Sequence, residues 1–201
     1  MKDKRFLFVL LSLIVIFNRS KKSDEETNND NPATVNLGEV GNRWKVKIDN
    51  SFDLNAEIIS KEGDVRTIEV SYAKLVTKAV KFGFAGNEVV DYAYSKGDLS
   101  KPFTMVKFDA KVGDIYSTEI NGIYHSREVI EKNTYHIPAL NKDLETIGVY
   151  EWIPEEIPST FFGFTIREII WYWHPTYGLV CVDVYTEEGD YIEVVFVNIE
   201  L

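Results

Sequence analysis

The chain has 201 residues, of which 45% are hydrophobic, 27% charged and 13% aromatic, with a single cysteine. These proportions suit one globular domain with a well-supplied core and exclude a wholly disordered chain, and one cysteine excludes an intrachain disulfide. The formal net charge is −10, but the first 22 residues set six Lys and Arg against Asp3, a sum of +5, which leaves −15 on the rest. A surface of that sign repels phosphate backbones and anionic headgroups, so nucleic acid is not an expected partner.

Met1-Lys2-Asp3-Lys4-Arg5 is a positive n-region, and Phe6 to Phe17 is an apolar run broken only by Ser12. That is the length of a signal-peptide h-region and is too short to span a bilayer comfortably. Residues 1–22 are therefore expected to be a targeting segment, which is also the only expected contact with a membrane. From Asn18 to Pro32 no apolar residue occurs, and such a stretch cannot bury enough surface to fold. Residues 23–40 are read as a disordered tether and 41–201 as one domain.

From Trp44 onward the apolar period is two. Trp44, Val46 and Ile48 alternate with Lys45, Lys47 and Asp49; Ile68, Val70 and Tyr72 alternate with Thr67, Glu69 and Ser71; Val80, Phe82 and Phe84 alternate with Lys81 and Gly83. Strands with one buried face read this way. Only Tyr72 to Val80 also suits a helical face, through Tyr72, Leu75, Val76, Ala79 and Val80. Turn signals fall at hairpin spacing: Lys61-Glu62-Gly63-Asp64, Ala85-Gly86-Asn87, Lys96-Gly97-Asp98, Asn121-Gly122 and Glu187-Glu188-Gly189-Asp190. Asn141 to Asp143 and Pro154 to Pro158 read as longer loops.

In the last third, Ile169 to Trp173 and Ile192 to Val197 place apolar residues on both faces, so these strands are covered on two sides. One flat sheet does not provide that cover. The expected fold is mostly β, a strongly curved antiparallel meander of about eight to ten strands, barrel-like or half-barrel-like. A β-sandwich is the alternative, disfavoured by the missing cysteine pair and by the hairpin-by-hairpin spacing.

Three pieces between Phe103 and Leu201 resemble an uncharacterised extracellular β-domain of Bacteroidetes-type cell-envelope lipoproteins. They are Phe108-Asp109-Ala110-Lys111-Val112-Gly113-Asp114-Ile115-Tyr116, the stretch from Ile137-Pro138-Ala139-Leu140 to Val149-Tyr150, and Trp171-Tyr172-Trp173-His174-Pro175-Thr176-Tyr177-Gly178-Leu179-Val180. The N-terminal arrangement of signal and polar tether is similar as well. The resemblance implies an exported protein of the cell envelope, at the outer membrane or cell surface. Arg19 stands where the family's lipid-modified cysteine is expected, so the chain as written lacks the sulfur to which an acyl chain would be attached.

No constellation of residues specifies catalysis, a metal or a cofactor. His125, His136 and His174 stand singly, without a metal-ligand spacing. His125 neighbours Ser126, but adjacent strand residues face opposite ways. The Gly-Asp pairs read as turns rather than as a calcium loop. Glu155-Glu156 reads as a solvated loop, and Cys181, in an apolar run, as a small buried hydrophobe. The strongest feature is aromatic: Trp152, Trp171, Trp173 and Tyr177 are the candidate ligand contacts, with core filling as the competing explanation. The expected function is a non-enzymatic envelope protein with an interaction or scaffold role and a protein or glycan partner. A binder of a sugar or apolar ligand in a concave aromatic face is the alternative, and an unrecognised hydrolase the third.

Overall fold

The computed structural model describes residues 39–200 except 49–51, 73–75, 121, 139, 157–158 and 162–163. The expected targeting segment (1–22) and most of the expected tether (23–40) lie outside the described residues.

Among the described residues thirteen strands follow one another: β1 (Arg43–Ile48), β2 (Phe52–Glu62), β3 (Val65–Tyr72), β4 (Val76–Ala85), β5 (Glu88–Asp91), β6 (Phe103–Lys107), β7 (Ile115–Ile120), β8 (Ile123–Ile137), β9 (Lys142–Trp152), β10 (Ser159–Phe161), β11 (Phe164–His174), β12 (Gly178–Thr186) and β13 (Tyr191–Glu200). They form one antiparallel sheet in the order β6-β5-β4-β3-β2-β1-β13-β12-β11-β9-β8-β7, with β10 paired to β11 off this path. The sheet has two arms. One runs from β1 out to β6 and the other from β13 back to β7, and the arms share the β1–β13 ladder. Their free edges, β6 and β7, face each other in a nearly closed barrel. The Lys107 N–H donates to the Tyr116 hydroxyl across that seam (3.3 Å).

The curved meander is therefore realised as a barrel-like sheet, and the sandwich alternative falls because the ladders are continuous. The strand count exceeds the expected eight to ten because β5, β6 and β10 span four, five and three residues, too few to display a period. Strand also wins over helix around Tyr72 to Val80, since β3 and β4 pair in register from Tyr72↔Val76 to Val65↔Gly83. Between β8 and β9 the connection is shorter than expected. Lys142 and Asp143 already pair with Ile137 and His136, and Asn141 takes the left-handed turn conformation at φ 48°.

The period-two residues face inward around the whole circuit. Trp44, Val46, Ile48, Ile68, Val70, Phe82, Val89, Val129, Val149, Ile169, Trp171, Val182, Val184, Val194 and Phe196 are buried in one hydrophobic core. Register shifts in the β1–β13, β2–β3, β5–β6, β8–β9 and β11–β12 ladders supply the bends that closure demands. Cover on the second side comes from the outside: the Tyr135 ring lies 4.7 Å from that of outward-facing Tyr172. Gly148 permits the same layer, because a Cβ there would meet Glu131 Cγ at 2.6 Å.

Candidate functional site

Some inward positions break the apolar pattern. On β8, His125 and Arg127 are in phase with Val129; on β9, Glu151 is in phase with Val149; on β5, Asp91 is in phase with Val89. All four charged or titratable side chains are buried. Because the barrel closes between β6 and β7, the ends of both arms bring them together.

Arg127 occupies the centre. Its Nε donates to Glu151 Oε2 (2.9 Å) and its Nη2 to Glu151 Oε1 (3.3 Å). Nη2 also makes an ion-pair contact with Asp91 Oδ2 (2.7 Å), out of line for a hydrogen bond. Nη1 donates to the Thr104 and Phe103 carbonyls of edge strand β6 (3.1 and 3.4 Å). The guanidinium carbon lies 3.8 Å from the centre of the Phe103 ring, a stacked cation–π geometry. Glu151 in turn accepts from the Tyr94 hydroxyl (2.7 Å) and from Trp171 Nε1 (2.8 Å). His125 Nε2 is 3.1 Å from Glu151 Oε1, again out of line, and its ring packs edge-on against Tyr94 at 4.8 Å.

The electrostatics follow from burial and pairing. Burial alone would raise Glu151, but Arg127 and His125 beside it bring it down to about 2. Asp91 is raised, chiefly by burial, against the opposing pull of Arg127. Burial disfavours the charge on Arg127, yet Glu151 and Asp91 hold it above the ordinary arginine range. Among the described residues no trio of His, Cys, Asp or Glu is arranged to hold a metal ion. What the cluster does is tie the edges: one guanidinium engages β5, β6 and β9 from β8. Tyr94 and Phe103 separate it from a cleft of about 130 Å³ between the β5–β6 loop and β7, where Lys96, Asp98, Lys101 and Thr118 also sit.

The four aromatic candidates are divided by the sheet. Trp171 and Trp173 share one face, as strand alternation requires, and that face is the interior, where they are 1% and 0% exposed. Trp152 lies on the outer face at 47% exposure. Tyr177 is half-buried in the β11–β12 turn, its hydroxyl accepting from Lys142 Nζ (3.2 Å). They do not form one surface. His174 orders the same turn by accepting from the Thr176 and Tyr177 N–H groups (3.0 and 3.2 Å). His136 pairs with Asp143 at 2.8 Å on the outside, and Glu155 meets Arg167 at 3.2 Å. Burial pushes the Cys181 thiol up to about 12, which keeps it protonated and unreactive at neutral pH.

Asp91, Arg127 and Glu151 are not among the residues that motif and spacing single out. A signal was available: each is a charged residue in the inward phase of a strand, and a buried charge requires a partner. Which partner it finds depends on barrel closure, which local periodicity does not encode.

No protein-family model matches the sequence, and no curated protein matches it. Two crystal structures are similar in fold. One is a Bacteroides fragilis NCTC 9343 protein, provisionally described as exported and as having a YmcC-like fold. It aligns with a TM-score of 0.51 and 12% identity over 82% of this chain and 97% of that one. The other is a protein of Parabacteroides distasonis ATCC 8503, provisionally described as a lipoprotein, with a TM-score of 0.51 and 13% identity over 81% and 96%. At these identities the likeness is one of fold, and it spans almost the whole of both proteins.

Proposed function

We propose that this chain is an exported cell-envelope protein whose barrel is a non-enzymatic interaction body, working through its outer surface. The observation that carries the reading is the interior itself. Bulky side chains fill it, Trp44, Trp171 and Trp173 among them, and its charged cluster is internally paired and sealed behind Tyr94 and Phe103. Chemistry or recognition inside would require that pairing to be broken. The n-region and apolar run of residues 1–17 support export, as does likeness in fold to two proteins that carry provisional descriptions of the same kind.

Fractionation of cells expressing the full chain tests the reading. The protein is expected in the envelope fraction with its first residues removed; a soluble cytoplasmic protein retaining Met1 would falsify it. In the same cells, Arg19→Cys is expected to take up labelled fatty acid and move into the detergent phase, since an acyl chain adds about 0.8 kcal/mol per buried methylene.

A further inference from the structure

Cross-strand register places two rows of side chains side by side on the outer face of the second arm. In one row Trp152 stands opposite Glu168, Glu168 opposite Tyr185, and Tyr185 opposite Tyr191. In the next, Glu128 stands opposite Tyr150, Tyr150 opposite Ile170, Ile170 opposite Asp183, and Asp183 opposite Glu193. At about 4.8 Å per strand the second row runs about 19 Å across the sheet. Trp152, Tyr185 and Tyr191 are exposed. The tyrosines are also held in place: the Tyr191 hydroxyl donates to Asp183 Oδ1 (2.8 Å), its ring lies 5.4 Å from that of Tyr185, and the Tyr172 hydroxyl donates to Asp183 Oδ2 (3.1 Å). Rings fixed before binding lose little entropy on binding.

The charges between the rings are of one sign. Among the described residues none of Glu128, Glu168, Asp183 and Glu193 is ion-paired with a cation, and these two rows contain no Lys or Arg. Arg167, at the β11 bulge, is already held by Glu155 and Glu187. Such a face repels phosphates and acidic polysaccharides. A lipid surface would require a continuous apolar patch, and here carboxylates interrupt it. A neutral sugar ring could stack but would leave the negative field uncompensated. A guanidinium satisfies both features, because it is planar enough to stack on Trp or Tyr and forks onto a carboxylate. The molecule already contains that arrangement, in Arg127 between Phe103 and the Glu151 carboxylate.

We propose that the outer face of β9, β11, β12 and β13 is a docking surface for an arginine-bearing segment of a protein partner, its guanidinium groups stacking on Trp152, Tyr185 and Tyr191 and pairing with the carboxylates between them. The inference rests on the reading of the barrel as an interaction body.

Its test is titration of the full chain with a fluorescent peptide of alternating Gly and Arg, beside the matching Gly-Lys peptide and a neutral oligosaccharide, cellohexaose. The arginine peptide is expected to saturate and to bind more tightly than the lysine peptide. The double variant Trp152→Ala, Tyr185→Ala, which alters no charge, is expected to weaken it at least about tenfold with the melting temperature unchanged. Should the double variant melt early, Tyr185→Ala alone provides the same comparison. Glu168→Gln with Glu193→Gln is expected to weaken binding and flatten its salt dependence, whereas Glu57→Gln on the other arm leaves it unchanged. Equal binding of both peptides, indifferent to the ring variants, would mean diffuse charge attraction and overturn the proposal. So would retention of cellohexaose through the same rings, or no binding of any probe. Each of these results in a chain that still reaches the envelope overturns only this inference, whereas cytoplasmic retention overturns the export reading and leaves the docking surface standing.

Discussion

On the outer face of β1 and β2, Arg43 lies 2.9 Å from Glu57 and Lys45 lies 2.8 Å from Asp53. Equivalent outward positions on β9, β11, β12 and β13 hold Trp152, Glu168, Tyr185 and Tyr191. Inward, the arms are alike: Trp44, Val46 and Ile48 in one and Ile169, Trp171 and Trp173 in the other fill the same core. Stability thus constrains both arms through the same interior, while the outer faces are free to diverge. The first arm neutralises its charges across the strands, and the second leaves carboxylates standing between rings.

An effect as large as any in the core is expected where the arms meet. Arg127→Met removes the cation between Glu151 and Asp91 and leaves two carboxylates buried without it, at a cost of about 3–5 kcal/mol. Thermal or urea unfolding should register this as a protein close to its stability limit. A variant that melts with the parent would show the seam to be no tie at all. Adding Glu151→Gln and Asp91→Asn to Arg127→Met is expected to recover part of the loss, because no bare charge is then buried.

Within the arms, packing sets the scale. Trp173→Ala in the second arm is expected to cost about 3–5 kcal/mol, and Ile68→Val in the first about 0.5–1.5 kcal/mol. The ratio should follow the volume removed and not the arm from which it is removed. A Trp173→Ala protein as stable as the parent would remove that residue from the core and restore it as a ligand contact.

Acid should weaken the seam through Glu151. Glu151 sits near 2 in the fold against an ordinary 4.5, so its contribution is complete above about pH 4.5 and is lost as the pH falls toward 2. Asp91 is raised and acts with the opposite sign, losing its contribution as the pH rises through its folded value. Through Glu151 the melting temperature is expected to drop between pH 5 and pH 3. A flat profile over that range contradicts the pairing described.

The smallest effects belong to the outer faces. Glu57→Gln is expected to change stability by less than about 1 kcal/mol, and by still less in 1 M salt. Trp152→Ala is expected to stay within about 0.5 kcal/mol of the parent. Because both changes are near-silent in stability, the loss of peptide binding expected of Trp152→Ala and its retention in Glu57→Gln can be read without a correction for folding.

Much of this was legible in the residues. Alternation at Trp44-Val46-Ile48 and Ile68-Val70 places those side chains inside, where the structure has them, and the doubled apolar faces around Ile169 to Trp173 signal the extra cover that Tyr135 supplies over Tyr172. The charged cluster was not legible. Arg127 sits in Ser126-Arg127-Glu128 and Glu151 between Tyr150 and Trp152, local settings that look solvated or amphipathic, and the partner Asp91 comes from the opposite arm. Likewise the outer rows need the register across β9, β11, β12 and β13, which no single strand contains.

The ladder joining the two arms has a kinetic consequence. β1, the first strand of the barrel, pairs with β13, the last, from Arg43↔Glu200 to Ile48↔Val194. Every other paired neighbour in the circuit is reached through at most 11 intervening residues, so each arm can form its ladders as the chain emerges. The ladder between the first and last strands must wait for the final residues, and long-range pairing of this sort slows folding. A chain threaded through a membrane from its N-terminus would hold β1 with one edge unpaired until β13 had passed, exposing a template for aggregation throughout that interval. The polar stretch ahead of β1 and the lysines on its outward face, Lys45 and Lys47, are the kind of residues that keep such an edge soluble while it waits.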